Sequence, residues 1–373
     1  MNRKQFIASS SAALLLGNAC QSQPKFLGKR LVIIRLMGGM DAYHFIAPKN
    51  NEIFQLHRSQ LYRKLNTEGI AFEKDWLINP QFDTLANLIN TGNLTIIPQV
   101  GFDDYNSYSH FTAERYWETG ELVKYEEGRI ENSLPTGWIG RLGDQNKLIA
   151  IGSNIKPVIT LDNYSSLFDH GEKFQGIIYE GINPTQNYIP LMQEWMEAQS
   201  NSNTIIHRLL EDQINQLSVT MKFENQMVDR KNFVGKLRQV KEIIEKDLPF
   251  RVIHLSQDGY DTHANQKPRI EPLFGEVMDG LNLLYQFLRK SKKLEETLVF
   301  VYSEFGRSIE TNDSGGTDHG KANLAFMMSG SQTLANFEYP FAPIQTFQVG
   351  RHHYVKHTIN YQEIQHKITD WLI

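Results

Sequence analysis

Short apolar runs, each broken by a turn that carries glycine or an acid, constrain this chain more than any other feature. Leu31-Val32-Ile33-Ile34-Arg35-Leu36 runs into Met37-Gly38-Gly39-Met40-Asp41-Ala42, and Leu94-Thr95-Ile96-Ile97 runs into Pro98 with Gly101 beyond it. The stretch 251–255 leads to Gln257-Asp258-Gly259-Tyr260-Asp261-Thr262-His263, and Leu298-Val299-Phe300-Val301 leads to Ser303-Glu304-Phe305-Gly306-Arg307. β-Branched and aliphatic residues packed this closely read as buried strands. Leu148–Ile151, 157–161 and 324–328 read the same way. Between them, 80–90 places Phe82, Leu85, Leu88 and Ile89 on one helical face and closes at Gly92; 111–119, 270–288 and Tyr361–Leu372 also read as helices. Strands alternating with helices predict an α/β fold on a mostly parallel sheet. The Glu-, Gln-, Lys- and Leu-rich stretch 188–247 predicts a helical insertion that covers a sheet face or forms a cap.

The chain has 373 residues, 40% hydrophobic and 21% charged, with a formal net charge of −4. These values suit a globular chain with a large core and leave no basic stripe for nucleic acid. Beyond the N-terminus no apolar run is long enough to cross a bilayer. Arg3 and Lys4 precede an apolar stretch over 8–16 that ends at Gly17-Asn18-Ala19-Cys20, the pattern of an export signal. The expected organisation is a signal over 1–20, a linker over 21–29 and a single α/β domain over 30–373. Arg3-Lys4-Gln5-Phe6-Ile7 resembles a twin-arginine motif with Lys at the second Arg, which leaves the ordinary secretory route open. Cys20 is the one cysteine. It is either lipidated after cleavage, anchoring the protein to a membrane, or lost with the signal. The anchor is the preferred reading, although Leu16 lies one place farther from Cys20 than lipoprotein signals usually have it. An exported protein of the periplasm or cell envelope follows, with no cysteine left for disulfides.

In a parallel sheet the carboxyl ends of the strands converge on one edge, so groups distant in sequence meet there. The groups so placed are Asp41; Ser107, Ser109 and His110; Asp261 and His263; and Glu304, Arg307, Asp318 and His319. Asp261 and His263, two apart in an extended segment, point to one side. Oxygen and imidazole donors without thiolate suit a divalent Zn, Ca, Mg or Mn ion. A serine at a helix N-terminus lies beside N–H groups that stabilise an anion, and a metal on its oxygen makes it a nucleophile. Each residue also has a plainer reading, with Asp41 or Ser109 as a helix cap and His263 as a loop histidine. Together they are better read as one site. His352 and His353 read as surface residues, and His357 as a further candidate.

The motifs Gly38-Gly39-Met40-Asp41, Ser109-His110-Phe111, Glu118-Thr119-Gly120, Gly137-Trp138-Ile139-Gly140-Arg141, Tyr260-Asp261-Thr262-His263-Ala264-Asn265-Gln266, Ser303-Glu304-Phe305-Gly306-Arg307 and Gly316-Thr317-Asp318-His319-Gly320 resemble the family known as domain of unknown function 1501 (DUF1501). Its members are exported and are similar to the alkaline phosphatase and sulfatase superfamily. The resemblance implies an alkaline-phosphatase-like sandwich, a central mostly parallel sheet flanked by helices. It implies metal ligands at Asp41, Asp261, His263, Glu304, Asp318 and His319, and catalytic roles for Ser109, His110 and Arg307. Ser109 would be the nucleophile, with Ser107 as the alternative, and Arg307 would pair with the anionic group.

The superfamily's Asp-His-Gly triplet has two placements here. By letters it is Asp318-His319-Gly320; by position at a strand end it is Ser303-Glu304-Phe305-Gly306, which is preferred and makes His319 the last metal-binding histidine. Phe305 cannot bind a metal, so that placement depletes one of two metal sites. The turn after Asp41 carries Ala42 and His44 where the family commonly has Gly and Asn, and Asn360 stands where Asp is usual. The implied function is an exported, metal-dependent hydrolase of a phosphate or sulfate ester, with a small anionic ester or a sulfated or phosphorylated glycan as substrate. The alternatives are a non-catalytic cell-envelope binding or assembly protein with a degenerate site, and hydrolysis of another kind of ester.

Overall fold

The computed structural model describes residues 28–103, 107–120, 138, 148–151, 233–247 and 250–373. The expected signal over 1–20, the strand over 157–161 and most of the insertion over 188–247 lie outside the described residues.

The strands are β1 (Arg30–Leu36), β2 (Ile46–Pro48), β3 (Ile70–Glu73), β4 (Trp76–Ile78), β5 (Leu94–Gly101), β6 (Leu148–Ile151), β7 (Val252–Gln257), β8 (Thr297–Tyr302), β9 (Asn323–Met328), β10 (Thr346–Val349), β11 (His352–Val355) and β12 (Ile359–Asn360). The helices are α1 (Glu52–His57), α2 (Ser59–Glu68), α3 (Asp83–Asn90), α4 (His110–Thr119), α5 (Phe233–Glu245), α6 (Gln266–Lys290), α7 (Ser331–Leu334) and α8 (Tyr361–Leu372). Seven strands form the main sheet in the order β12-β5-β9-β8-β1-β7-β6. All neighbours pair parallel except β9, which runs antiparallel to β5 and β8. The architecture is α/β, with a central mixed, mostly parallel sheet flanked by helices.

β1 lies between β7 and β8, and all seven of its residues are buried, so its apolar run is uninterrupted where a half-exposed strand would alternate. Val32, Ile34 and Leu36 face a core built with α3, α5 and α6. Leu31 and Ile33 face a second core that contains Ala113 and Trp117 of α4 and Ile364 and Ile368 of α8. β5 runs past the Pro98 expected to end it, but its pairing with β9 shifts between Ile97 and Val100, and Gln99 takes a φ of 49°. Proline has no N–H for the ladder, so the strand bulges there and then continues. A three-stranded sheet (β2-β4-β3) and the β10-β11 hairpin, neither of them foreseen, stand beside the main sheet. Among the described residues, no helix is long and apolar enough to cross a membrane.

β5, β8, β1 and β7 share one direction, so the turns after them gather on one edge. The segment between β8 and β9 leaves and returns at that edge, because β9 runs the opposite way. His319, four residues before β9, is thereby brought back beside the end of β8.

His254 of β7 is buried, and among the described residues neither ring nitrogen has a hydrogen-bond partner. Burial, helped by the charge of Arg35, pushes its pKa down to about 3. The unfolded chain, with an ordinary value of about 6.5, therefore binds this proton first on acidification, and the native state loses stability as pH falls from about 6.5 towards 3. His254→Leu is expected to flatten the fall of unfolding free energy between pH 6 and pH 4 by about 1.4 kcal/mol per pH unit. Urea titrations at several pH values measure this; parallel slopes for both proteins would contradict it.

Candidate metal centre

The turn after β1 and the turn after β7 meet backbone to backbone. Met37 N donates to Gln257 O at 2.8 Å and Tyr260 N donates to Met37 O at 3.1 Å. Gly38 has a φ of 114°, and a Cβ on it would lie 2.3 Å from Asp261 N. Both the conformation and the closeness require glycine.

Arg307 binds this junction to the turn after β8. Its Nε donates to Gly39 O at 2.7 Å, Nη1 to Thr317 O at 3.0 Å, and Nη2 to Tyr260 O at 3.0 Å, to Asp261 Oδ1 at 2.6 Å and to Gly38 O. The side chain is 0% exposed. The expectation that Arg307 meets a substrate anion is therefore corrected: its donors are engaged within the protein, and none faces solvent.

On this frame lie three imidazoles and a carboxylate. His319 Nε2 is 2.9 Å from His110 Nε2 and 3.0 Å from His263 Nε2. Asp261 Oδ1 is 3.2 Å from His319 Nε2, 3.0 Å from His263 Nε2 and 3.5 Å from His110 Nε2. With bonds of about 2.0–2.1 Å to nitrogen and oxygen, neighbouring ligands of a tetrahedral ion lie about 3.3 Å apart. His110, Asp261 and His319 each place one donor atom within 4.8 Å of the others, which makes them the core of a cation site; His263 adjoins two of the three.

The other ring nitrogens point outward. His319 Nδ1 donates to Tyr108 O at 2.6 Å, which fixes its hydrogen on Nδ1, since a carbonyl only accepts. His110 Nδ1 donates to Glu304 Oε1 at 2.6 Å and His263 Nδ1 to Asp318 Oδ1 at 3.1 Å. With Nδ1 engaged outward, each ring turns its Nε2 inward, the orientation that outer carboxylates and carbonyls impose on metal-binding histidines. Nε2 atoms facing one another and an anionic oxygen need positive charge among them, as ring protons or as one divalent cation.

The electrostatics favour a charged, ordered site. Burial alone would raise the pKa of Glu304, but the His110 hydrogen bond and the Arg35 charge hold it down to about 2. Against burial, Glu304 in turn raises the basicity of His110. Burial lowers the pKa of His319. Asp261 resists its own burial because Arg307 holds it ionised, down to about 2. Glu304 is 1% exposed whereas Asp261 is 48% exposed, so the donors open to solvent above a buried floor.

The structure brings together most of the residues singled out in sequence, but in different roles. His110, Asp261, His263 and His319 present donor atoms. Glu304 and Asp318, read as ligands, stand behind His110 and His263 and orient them. Asp41, also read as a ligand, is apart: Arg58 Nη1 donates to its oxygens at 3.0 and 2.7 Å, and Gln266 Nε2 donates to Oδ2 at 2.6 Å. Its neutralising partner was not visible because Arg58 sits at the unforeseen junction of α1 and α2. Ser109 is exposed at the N-cap of α4 and does not cap the helix with its side chain. Ser107 Oγ accepts from Ser109 N at 3.0 Å. Phe305 packs its ring 4.6 Å from that of His110 and 5.1 Å from that of His319, an apolar wall against the donor cluster. His44 pairs with Glu271 at 2.9 Å and His357 with Asp103 at 2.9 Å, and Asn360 donates to Asp103 at 2.6 Å. His353, read as a surface residue, is partly buried against Glu310.

Truncating Arg307 removes the donor from the carbonyls of Gly38, Gly39, Tyr260 and Thr317 and the guanidinium from Asp261. Arg307→Ala is expected to destabilise the fold by about 3–5 kcal/mol through the hydrogen bonds lost by buried carbonyls, measured by urea unfolding, and Arg307→Lys is expected to recover only part of this because an ammonium cannot span the same acceptors. A loss below about 1 kcal/mol, the range of a surface pair, would contradict the clamp.

The profile of the family described as "Protein of unknown function (DUF1501)" matches residues 230–333, the segment that carries Asp261, Glu304, Arg307 and His319. The chain resembles that family there. No curated protein matches the chain. Among solved structures, the lipoteichoic acid synthase LtaP from Listeria monocytogenes is similar at 10% identity and a TM-score of 0.38, over 86% of this chain and 71% of that one. An alkaline phosphatase from the Antarctic bacterium TAB5 is similar at 13% identity and a TM-score of 0.37, over 92% and 99%. The PsFucS1 sulfatase from Pseudoalteromonas sp. is similar at 12% identity and a TM-score of 0.33, over 88% and 66%.

Proposed function

We propose that this chain is an exported, metal-dependent hydrolase of phosphate or sulfate esters, with one divalent cation held by His110, Asp261 and His319 and adjoined by His263. The observation that carries the reading is the inward convergence of imidazole Nε2 atoms on Asp261 Oδ1, each ring oriented by an outward hydrogen bond from Nδ1. Donors rich in imidazole suit zinc better than calcium, magnesium or manganese. A bound cation supplies Lewis acidity to an ester oxygen.

The chain's own residues do the rest. Ser109, at the start of α4 and next to His110, is the nucleophile in this reading. The first-turn N–H groups of α4 favour the anionic group. Lys321 lies near Tyr108, its Nζ 4.2 Å from the ring centroid, and contributes a cation on the same side. Ser109 Oγ forms the bond to phosphorus or sulfur as the ester's alcohol oxygen departs; the serine proton passes to solvent, from which the departing alkoxide is protonated. Water then cleaves the serine ester and returns the enzyme. Export through the N-terminal signal, with Cys20 as a lipid anchor, places the substrate outside the cytoplasm, where sulfated or phosphorylated glycans fit the same chemistry.

The second reading, a non-catalytic envelope protein with a degenerate site, is favoured by Phe305 and by the Arg307 contact on Asp261 Oδ1, both of which leave fewer donors than two metals need.

Metal analysis after dialysis, with turnover of aryl phosphate and aryl sulfate, separates these. The hydrolase is expected to bind metal, to hold one ion per chain fewer in His319→Ala, and to keep its metal but lose turnover in Ser109→Ala. Bound metal without turnover of either ester selects the second reading. Absence of metal from the wild type, after reloading with zinc and with manganese, would overturn the metal centre itself. Removing an outer partner, in Glu304→Gln or Asp318→Asn, is expected to weaken metal affinity about 10–100-fold; unchanged affinity would mean that these carboxylates do not orient the rings.

A further inference from the structure

We propose a second divalent-cation site, formed by His57, Glu310 and His353 and sharing no residue with the first. Each offers one donor atom within 4.8 Å of the other two. His57 Nε2 is 3.8 Å from Glu310 Oε1, and His353 Nδ1 contacts the same oxygen. The two rings lie 5.0 Å apart at 37°. Two imidazoles and a carboxylate form a donor set for zinc or a similar divalent ion, and the fourth position is left to water.

Fixed backbone holds all three donors. His57 precedes Arg58, whose Nε donates to Ile309 O at 2.7 Å and whose Nη2 donates to Ser308 O at 2.8 Å. Glu310 follows Ile309, whose N–H donates to His353 O at 3.0 Å. The His353 N–H donates back to both Glu310 oxygens, at 2.8 and 2.9 Å, which aims the carboxylate. The side chains are 25% (His57), 15% (Glu310) and 19% (His353) exposed, and His57 lines an open cavity of about 600 Å³, so an ion has a way in.

The donors come from the end of α1, the segment between β8 and β9, and the hairpin strand β11. An isolated two-stranded hairpin is marginal in water, and a cation here ties it to the segment that carries Asp318 and His319. His352 lies between the two sites, its Nδ1 4.0 Å from Glu310 Oε2 and its Nε2 3.8 Å from Asp318 Oδ2.

Equilibrium dialysis of EDTA-treated full chain against zinc, with metal counted per chain, tests the site. The wild type is expected to bind one zinc more than either His57→Gln or Glu310→Gln, and zinc is expected to raise the melting temperature of the wild type more than that of either variant. Equal zinc in the wild type and His57→Gln, with equal melting shifts, would overturn the proposal and leave an ordinary histidine–glutamate hydrogen bond. Failure of the first site shows separately, as zinc binding in His319→Ala equal to that of the wild type.

Discussion

The Arg307 guanidinium holds together turns from three different strands, and the donor cluster exists only where those turns meet. It bonds to the carbonyls of Gly38 and Gly39 after β1, of Tyr260 after β7, and of Thr317 in the segment leading to β9, as well as to Asp261. A buried cation with only carbonyl partners would be costly; the carboxylate of Asp261 supplies the compensating charge. The same contact holds Asp261 Oδ1 beside the Nε2 atoms of His263 and His319. Structure and chemistry are thus joined at one oxygen.

A second buried network supports the site from below. Arg35 of β1 pairs with Glu114 of α4, and its charge helps hold Glu304 ionised. Glu304 accepts from Gly38 N at 2.8 Å and from His110 Nδ1 at 2.6 Å. A carboxylate this deeply buried is ionised only because these partners surround it. Its effect at the surface is to orient one imidazole, so the electrostatics of the sheet reach the solvent-facing donors through His110.

The strands that carry the site were legible from their apolar runs, because β1, β7 and β8 are buried on both faces and show no alternation to confuse the pattern. The convergence of their turns followed from parallel order alone. What could not be read was direction within the turns. Arg307 and Asp41 declared their charge but not their partners, and both proved to be neutralised inside the protein. Glu304 and Asp318 are the right residue types in the right neighbourhood, yet only the ring orientations of His110 and His263 assign them to an outer role. Pro98 was read as a strand end, because a bulge that keeps the strand going depends on pairing with β9. His353 was read as a surface residue because nothing in the sequence ties it to Glu310, its partner 43 positions away.

One cation is proposed to sit among His110, Asp261 and His319. Anomalous diffraction at the zinc edge, from crystals grown with zinc, tests it most directly. The expected result is a peak at about 2.0–2.1 Å from the Nε2 atoms of His110 and His319 and at coordination distance from Asp261. Density showing those nitrogens in direct contact, with no anomalous peak between them, would contradict it.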